Sequence, residues 1–315
     1  MTQAANQELS YVLRALVSVL VVATAAGFVS SLTSTGEAVR EVAETLNVRI
    51  RSWWVMSIVV AAAYLTGSLG ALVLFFAISF MALREIITLT PTKPADHQAL
   101  FLTFFIATPL QYVLLAVQWY GLFTVLIPVY AFLLIPTFSA IAGDPDEFLD
   151  RVAKIQWGLM VCVYCVSYAP ALMMLAIPGY QGHDANLLLY LVVVDQSGGA
   201  VQYVWGKLVG RRQFAASISP NKTWEGLVGG IGSATLIGTA LWGVTPFNPW
   251  QAGLMSLAIA LMGFSGRLTM SAIKRGYGVN DYGGVIPGRG GIMDRIDSLC
   301  FAAPVFFHLT RYFFT

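Results

Sequence analysis

The sequence predicts an all-α, polytopic membrane protein of about nine transmembrane helices, with its polar site in late cytoplasmic loops. Three observations carry that expectation. Hydrophobic residues make up 57% of the 315 residues and charged residues only 11%, whereas a soluble domain carries about 25% charged residues. The apolar residues fall into runs long enough to cross a bilayer, which takes about 20 residues of helix. The polar residues collect late, in 205–226 and 266–297. This composition excludes a disordered chain, a disulfide scaffold and a nucleic-acid-binding domain.

The expected spans are Tyr11–Leu32, Trp53–Ile78, Ala99–Val117, Leu122–Ala140, Gln156–Ile177, Asn186–Val204, Leu227–Val244, Gln251–Phe264 and Ser298–Phe314. No basic stretch precedes the first run, and the run is long for a cleaved signal, so it is expected to remain as a span. Between the first two spans, Gly36–Arg51 sets Val39, Val42, Leu46 and Ile50 at helical spacing among Arg40, Glu41, Glu44 and Arg49. That pattern predicts an amphipathic helix on the membrane surface. The chain divides into an N-terminal transmembrane region, 1–185, and a C-terminal one, 186–315, which carries the motifs below.

Basic residues set the orientation. Lys207, Arg211, Arg212 and Lys222 follow the sixth span, and Arg267, Lys274, Arg275, Arg289 and Arg295 follow the eighth; together they are half of the 18 Lys and Arg. Both groups fall on one side, which is expected to be the cytoplasm of a bacterial plasma membrane. Arg84, Lys93, Arg151 and Lys154 agree, while Arg40, Arg49 and Arg51 do not. Cys162 and Cys165 lie inside an apolar run and read as small hydrophobes. His97, His183 and His308 are scattered, which argues against a His-built metal site. Asp195 sits inside the sixth span, where a carboxylate is a functional candidate by default.

Three late segments could carry chemistry. Ser219-Pro-Asn-Lys-Thr-Trp-Glu-Gly226 offers two hydroxyls and a cation just ahead of a helix N-terminus, which suits phosphate. Its ordinary alternative is a turn with an N-cap and a snorkelling Lys. Gly266–Arg275 gathers Ser271, Lys274 and Arg275 within about one helical turn, or is simply a positively charged anchor. Pro287-Gly-Arg-Gly-Gly-Ile-Met-Asp-Arg-Ile-Asp297 has flexible glycines and two acids three apart. On a helix Asp294 and Asp297 would share a face and could hold a hard cation such as Mg²⁺. The alternative is that Asp294 caps the last span and Asp297 pairs with Arg295.

Taken together, Ser271-x-x-Lys274-Arg275, Asp281 and Pro287-Gly288-x-Gly290-Gly291-x-x-Asp294-Arg295-x-Asp297 resemble the signature of phosphatidate cytidylyltransferases (CDP-diacylglycerol synthases). Ser219-Pro-x-Lys222-Thr223-x-Glu225-Gly226 and Tyr203-x-x-Gly206-Lys207 are similar to that family's other stretch. The resemblance is specific over about residues 195–300 and mostly hydropathic before that. It implies attack of a phosphatidate phosphate on the α-phosphorus of CTP, with Mg²⁺ as cofactor. By position, Ser219, Lys222, Thr223, Lys274, Arg275 and Arg295 would contact phosphates. Asp281, Asp294 and Asp297 would be the residual catalytic acids, with Asp294 and Asp297 left as an incomplete metal site. The implied partners are phosphatidate or another anionic lipid, and CTP, with no nucleic acid.

The chain departs from the family pattern where that pattern has its charged working parts. Gly199 and Arg267 stand where the family has Asp, Asn280 where it has Lys, and Arg289 where it has His. Met270 replaces a frequent Glu. Arg267 cannot be deprotonated and so cannot become a metal ligand. The expectation is a family member with activity lost or much reduced and with Mg²⁺ binding weak or absent. The alternatives are an active phosphatidate cytidylyltransferase with a rearranged metal site, in which Asp195 compensates for Gly199, or a transporter or lipid-handling protein. The GxxxG pairs Gly206/Gly210 and Gly226/Gly230 permit close helix approach, and a homodimer is an expectation on that ground.

Overall fold

A bilayer offers no water to backbone N–H and C=O groups, so each spanning segment must close its own hydrogen bonds as a helix. The computed structural model describes Thr24 and residues 66–181, 184–219, 222–285 and 290–315. The first expected span (but for Thr24), the amphipathic segment Gly36–Arg51 and Arg289 lie outside the described residues, as does the start of the second span. In chain order the helices are α1 (Gly67–Leu89), α2 (Pro94–Ala116), α3 (Tyr120–Ile141), α4 (Phe148–Met174), α5 (Asp184–Leu208), α6 (Trp224–Ala240), α7 (Pro249–Gly276), α8 (Met293–Ile296) and α9 (Leu299–Phe314). Six of them (α1 to α5 and α7) are long and apolar enough to cross a membrane. The apolar helices α6 and α9 are shorter, at 17 and 16 residues. No β-strand forms among the described residues.

Several boundaries move, each for a physical reason. The second expected span, Trp53–Ile78, continues to Leu89 because Glu85 finds buried partners instead of ending the helix. The fifth begins at Phe148 rather than Gln156. Its first turns are charged on one side, while Arg151 and Val152 are buried on the other. The largest correction concerns the eighth span. Gln251–Phe264 is only part of α7, which runs on to Gly276. Gly266–Arg275 is therefore helix and not loop. Asn248 and Gln251 form a reciprocal capping box at its start, each side chain accepting the other's backbone N–H at 2.9 Å. Lys274 and Arg275 occupy its last turn, where the helix dipole favours cations.

Small residues bring α5 and α6 together. Gly226, Gly230, Ala234 and Gly238 recur at every fourth position of α6 and are all buried. A Cβ on Gly230 would lie 2.6 Å from Gln202 Cβ, and one on Gly198 would lie 3.3 Å from Ala234 Cβ. Gly226 lies against Gly206 and the Gln202 carbonyl in the same way. The close approach that the GxxxG spacing permits is thus made within one chain. It holds the loop before α6 against the end of α5. Helix α9 fills the centre, burying Leu299, Cys300, Ala302, Ala303, Phe306 and Phe307. One apolar core joins residues from Leu72 to Phe307. Cys162 belongs to it, with its thiol 3.7 Å from Met293 Sδ.

A buried ion pair ties the earlier helices at the end that carries the motifs. Arg151 Nε meets Asp96 Oδ1 at 3.1 Å, with both side chains at most 3% exposed. Ser139 donates to the same oxygen at 3.1 Å.

The stripe on α6 makes a direct prediction. Gly230→Leu, forced into Gln202, should destabilise the detergent-solubilised protein by about 1–3 kcal/mol as overpacking does. Gly232→Leu, where a Cβ would meet nothing within 4 Å, should leave the thermal midpoint unchanged. Fluorescence-detected size exclusion after heating reads both.

Candidate active site

The site forms where α5, α7, α8 and α9 meet the loops before α6 and α8. Its centre is a carboxylate–guanidinium pair inside the helices. Asp195 on α5 accepts from Arg267 Nη1 on α7 at 3.3 Å. The Asp195 side chain is 0% exposed and that of Arg267 17%. Arg267 lies nine residues before the end of α7, about 14 Å along the axis at 1.5 Å per residue. The other oxygen of Asp195 accepts from Ser298 Oγ at 2.6 Å and from Gln196 Nε2 at 3.2 Å.

One glycine makes room for the pair and a second adjoins it. A Cβ on Gly263 would sit 2.2 Å from Asp195 Oδ1. One on Gly199 would sit 3.5 Å from Arg267 Nη1 and 3.6 Å from its Cζ. Gly199 and Arg267 are thus neighbours: the guanidinium lies against the bare backbone that Gly199 leaves. Removing one partner of such a buried pair costs about 3–5 kcal/mol, because the other charge is stranded.

A second group forms around Asp294. One of its oxygens accepts from Lys274 Nζ at 2.8 Å. The other accepts from the backbone N–H groups of Tyr282 and Gly291, each at 2.9 Å. Lys274 also lies 5.5 Å from the Tyr282 ring centre, and the Tyr282 hydroxyl donates to the Met270 carbonyl at 2.9 Å. Gly290 adopts φ +78°, a conformation that L side chains rarely adopt. A Cβ there would lie 2.6 Å from Asp294 Oδ2 and 3.0 Å from Asp281 Oδ1, so these two acids face one spot.

Glu85, on α1, was missed in the sequence. Its two oxygens accept the backbone N–H groups of Ile292 and Met293 at 2.9 and 2.8 Å. It thereby satisfies donors at the start of the short helix α8, where a negative charge is favoured. A Cβ on Gly291 would lie 2.3 Å from Glu85 Oε2, so that glycine is the opening through which the carboxylate reaches the backbone. The available signal was the one that drew attention to Asp195: a carboxylate inside an apolar run.

The remaining candidates fall into different surroundings. Thr223 is the N-cap of α6 and accepts from Gly226 N at 3.1 Å. Lys222, beside it, turns inward: its ammonium lies 5.6 Å from the Phe264 ring centre and has no hydrogen-bond partner. Burial pushes this ammonium down to about 8, with Arg267 adding to the effect. The Ser219 carbonyl accepts from Lys222 N at 3.2 Å and shapes the loop. Arg275 donates to Asn280 Oδ1 and to the Ile218 and Val279 carbonyls, joining two loops. Asn280 therefore serves as a partner of Arg275. Arg295 stands in the last turn of α8. Asp297 follows α8 with its backbone carbonyl against Gly266, where a Cβ would lie 2.4 Å away. Burial pushes its carboxyl up to about 6, against the opposing pull of Arg267 and Lys274.

Asp195 and Asp294, as arranged, do not fit Mg²⁺. That ion takes oxygens at about 2.0–2.1 Å in near-octahedral order. Asp195 already faces a guanidinium, and Asp294 already accepts one ammonium and two backbone N–H groups. Among the described residues no group of three or more His, Cys, Asp or Glu is placed to hold a metal ion.

Residues 47–313 match the cytidylyltransferase family. The Escherichia coli uncharacterized protein YnbB is 41% identical over 270 residues, covering 85% of this chain and 88% of its own length. The phosphatidate cytidylyltransferase of Bacillus subtilis is 30% identical over 270 residues, covering 84% of this chain and 97% of its own. A Staphylococcus aureus phosphatidate cytidylyltransferase is 37% identical over 127 residues, covering 40% of this chain and 48% of its own.

The Glu85 contact is open to test. Glu85→Gln keeps the shape but sets an amide N–H₂ against one of the two backbone donors. It should cost about 1–3 kcal/mol, as a buried donor left unpaired does. A lowered thermal midpoint, with protection from protease lost first around residues 283–297, is the expected outcome.

Proposed function

The chain belongs to the cytidylyltransferase family, and from that premise we propose that it is a relative of the phosphatidate cytidylyltransferases in which cytidylyl transfer is lost or strongly impaired. The observation that carries this reading is the Arg267 guanidinium lying against Gly199 and paired with Asp195. By the sequence resemblance, positions 199 and 267 are carboxylates in active members.

The family reaction joins two anions. An oxygen of the phosphatidate phosphate bonds to the α-phosphorus of CTP, and the α–β bridging bond breaks to release pyrophosphate. Positive charge must sit where the transition state gathers negative charge, and metal ions held by carboxylates supply much of it. Exchanging an acid for a guanidinium changes the local charge by two units. At about 4 Å and an effective dielectric near 20, each unit repulsion between Arg267 and an incoming cation is about 4 kcal/mol. Lys222 remains to attract phosphate, its ammonium without a hydrogen-bond partner. In this reading the motif loops face the cytoplasm of a bacterial inner membrane. Residues 186–315 are the working region, and 1–185 supply the buttress, with Glu85 as the bridge between them.

A second reading has one observation in its favour: Asp281 and Asp294 face a common spot. In it the protein is an active phosphatidate cytidylyltransferase with a rearranged metal site. A Mg²⁺-dependent assay of the purified protein with CTP and phosphatidate separates the two. The wild type should release no pyrophosphate above background. A variant carrying Gly199→Asp, Arg267→Asp, Asn280→Lys and Arg289→His should turn over. Comparable turnover by the wild type would establish the second reading.

The ammonium of Lys222 also sets a pH dependence. With its pKa pushed down to about 8, it is charged below pH 8 and neutral above. CTP affinity should be full below that value and weaken above it, by up to about tenfold per pH unit, the limit for loss of one proton. Lys222→Gln should bind more weakly and lose that slope in isothermal titration.

A further inference from the structure

Buried N–H donors in folded proteins nearly always have a partner. Three on the elements that build this site have none: Gln202 Nε2, Lys222 Nζ and Arg267 Nε. They come from three separate elements. Gln202 is one turn after Gly199 on α5, and the Arg267 guanidinium lies against Gly199. Lys222 precedes α6 and places its ammonium over Phe264, one turn before Arg267 on α7. Two of the three donors carry a full positive charge, and all three are nitrogens with hydrogens to give.

The acids nearby are differently placed. Asp195 accepts from Arg267 Nη1, Ser298 and Gln196. Asp294 accepts from Lys274 and two backbone donors. Asp297 lies near enough to act on the charges of Lys222 and Arg267, yet none of the three acids accepts from the orphan donors. A guanidinium presents five N–H donors in a rigid fork, so its bond to Asp195 leaves others to offer. Donors of this kind call for a group with several acceptor oxygens and a negative charge, which a phosphate provides.

We propose that Gln202, Lys222 and Arg267 form a phosphate site that works without a divalent cation, Arg267 acting as a fixed internal cation where a metal would otherwise be needed. The proposal deepens the reading above and rests on it in one respect, that these segments handle phosphate. Asp195 then acts as a positioning residue: it holds the guanidinium at its place between α5 and α7 and does not touch the ligand. The phosphate could be borne by a lipid headgroup or by a nucleotide, and the arms of the experiment distinguish them.

The full chain is placed in phosphatidylcholine nanodiscs and probed with CTP in one arm and with short-chain phosphatidate in the other. Each titration is run with excess Mg²⁺ and again with excess EDTA. At least one probe should bind, with affinities in the two conditions agreeing within about twofold, since a chelator removes nothing that the site uses. The arm that binds identifies the source of the phosphate. Lys222→Gln, which breaks no ion pair, should weaken binding by about tenfold or more while the ligand-free thermal midpoint stays in place. Gly199→Asp combined with Arg267→Asp should bind in Mg²⁺ and lose binding in EDTA. Loss of wild-type binding by about tenfold or more in EDTA would overturn the proposal. So would failure of both probes to bind, or wild-type affinity in Lys222→Gln. Failure of the underlying reading would show separately, as pyrophosphate release by the wild type.

Discussion

The buried pairing of Asp195 with Arg267 is the constraint on which the rest of the site depends. A lone charge in a helix bundle within a membrane is costly, and each member of this pair makes the other tolerable. Gly263 leaves the space that Asp195 needs, and Arg267 lies in contact with Gly199. Ser298 then completes the bonding of Asp195 and fixes the start of α9 against α5. The outcome is a pair in which Asp195 already has its cation. An active metal centre needs the opposite: carboxylates in excess, waiting for a cation.

Around this pair the fold provides two further anchors, both from carboxylates acting on backbone. Asp294 gathers the loop between α7 and α8 by accepting from Tyr282 and Gly291. Glu85 reaches the same loop from α1 and accepts from Ile292 and Met293. The glycines at 290 and 291 are therefore explained by the approach of acids, and no bound ligand is needed to account for them. Charge-assisted bonds to backbone N–H groups are among the stronger hydrogen bonds available, so Tyr282 and residues 291–293 are held in place before any substrate arrives.

How much of this was legible in the sequence follows from particular residues. The helices α2, α3 and α5 are legible because their hydropathy is plain, α1 and α4 only in part because charged residues lie at the ends that the expected spans leave out, and the late concentration of motifs is legible from spacing alone. Hydropathy ends a span at a charge, so it places Arg267 beyond the eighth span. A charge whose partner lies 72 residues away gives no local sign that the helix continues. Glu85 was missed for the same reason, its partners being more than 200 residues distant. The GxxxG pairs were visible, but their spacing does not say whether the neighbour is α5 of the same chain or another copy. The inward turn of Lys222 also depends on Phe264, which no motif contains.

Divalent-cation binding tests the central claim most directly. Mn²⁺ in place of Mg²⁺ can be followed by electron paramagnetic resonance on the purified protein, without any substrate. The account predicts that the wild type leaves added Mn²⁺ free in solution, and that Gly199→Asp with Arg267→Asp takes up Mn²⁺ stoichiometrically. Stoichiometric uptake by the wild type, abolished by Asp195→Asn, would contradict it.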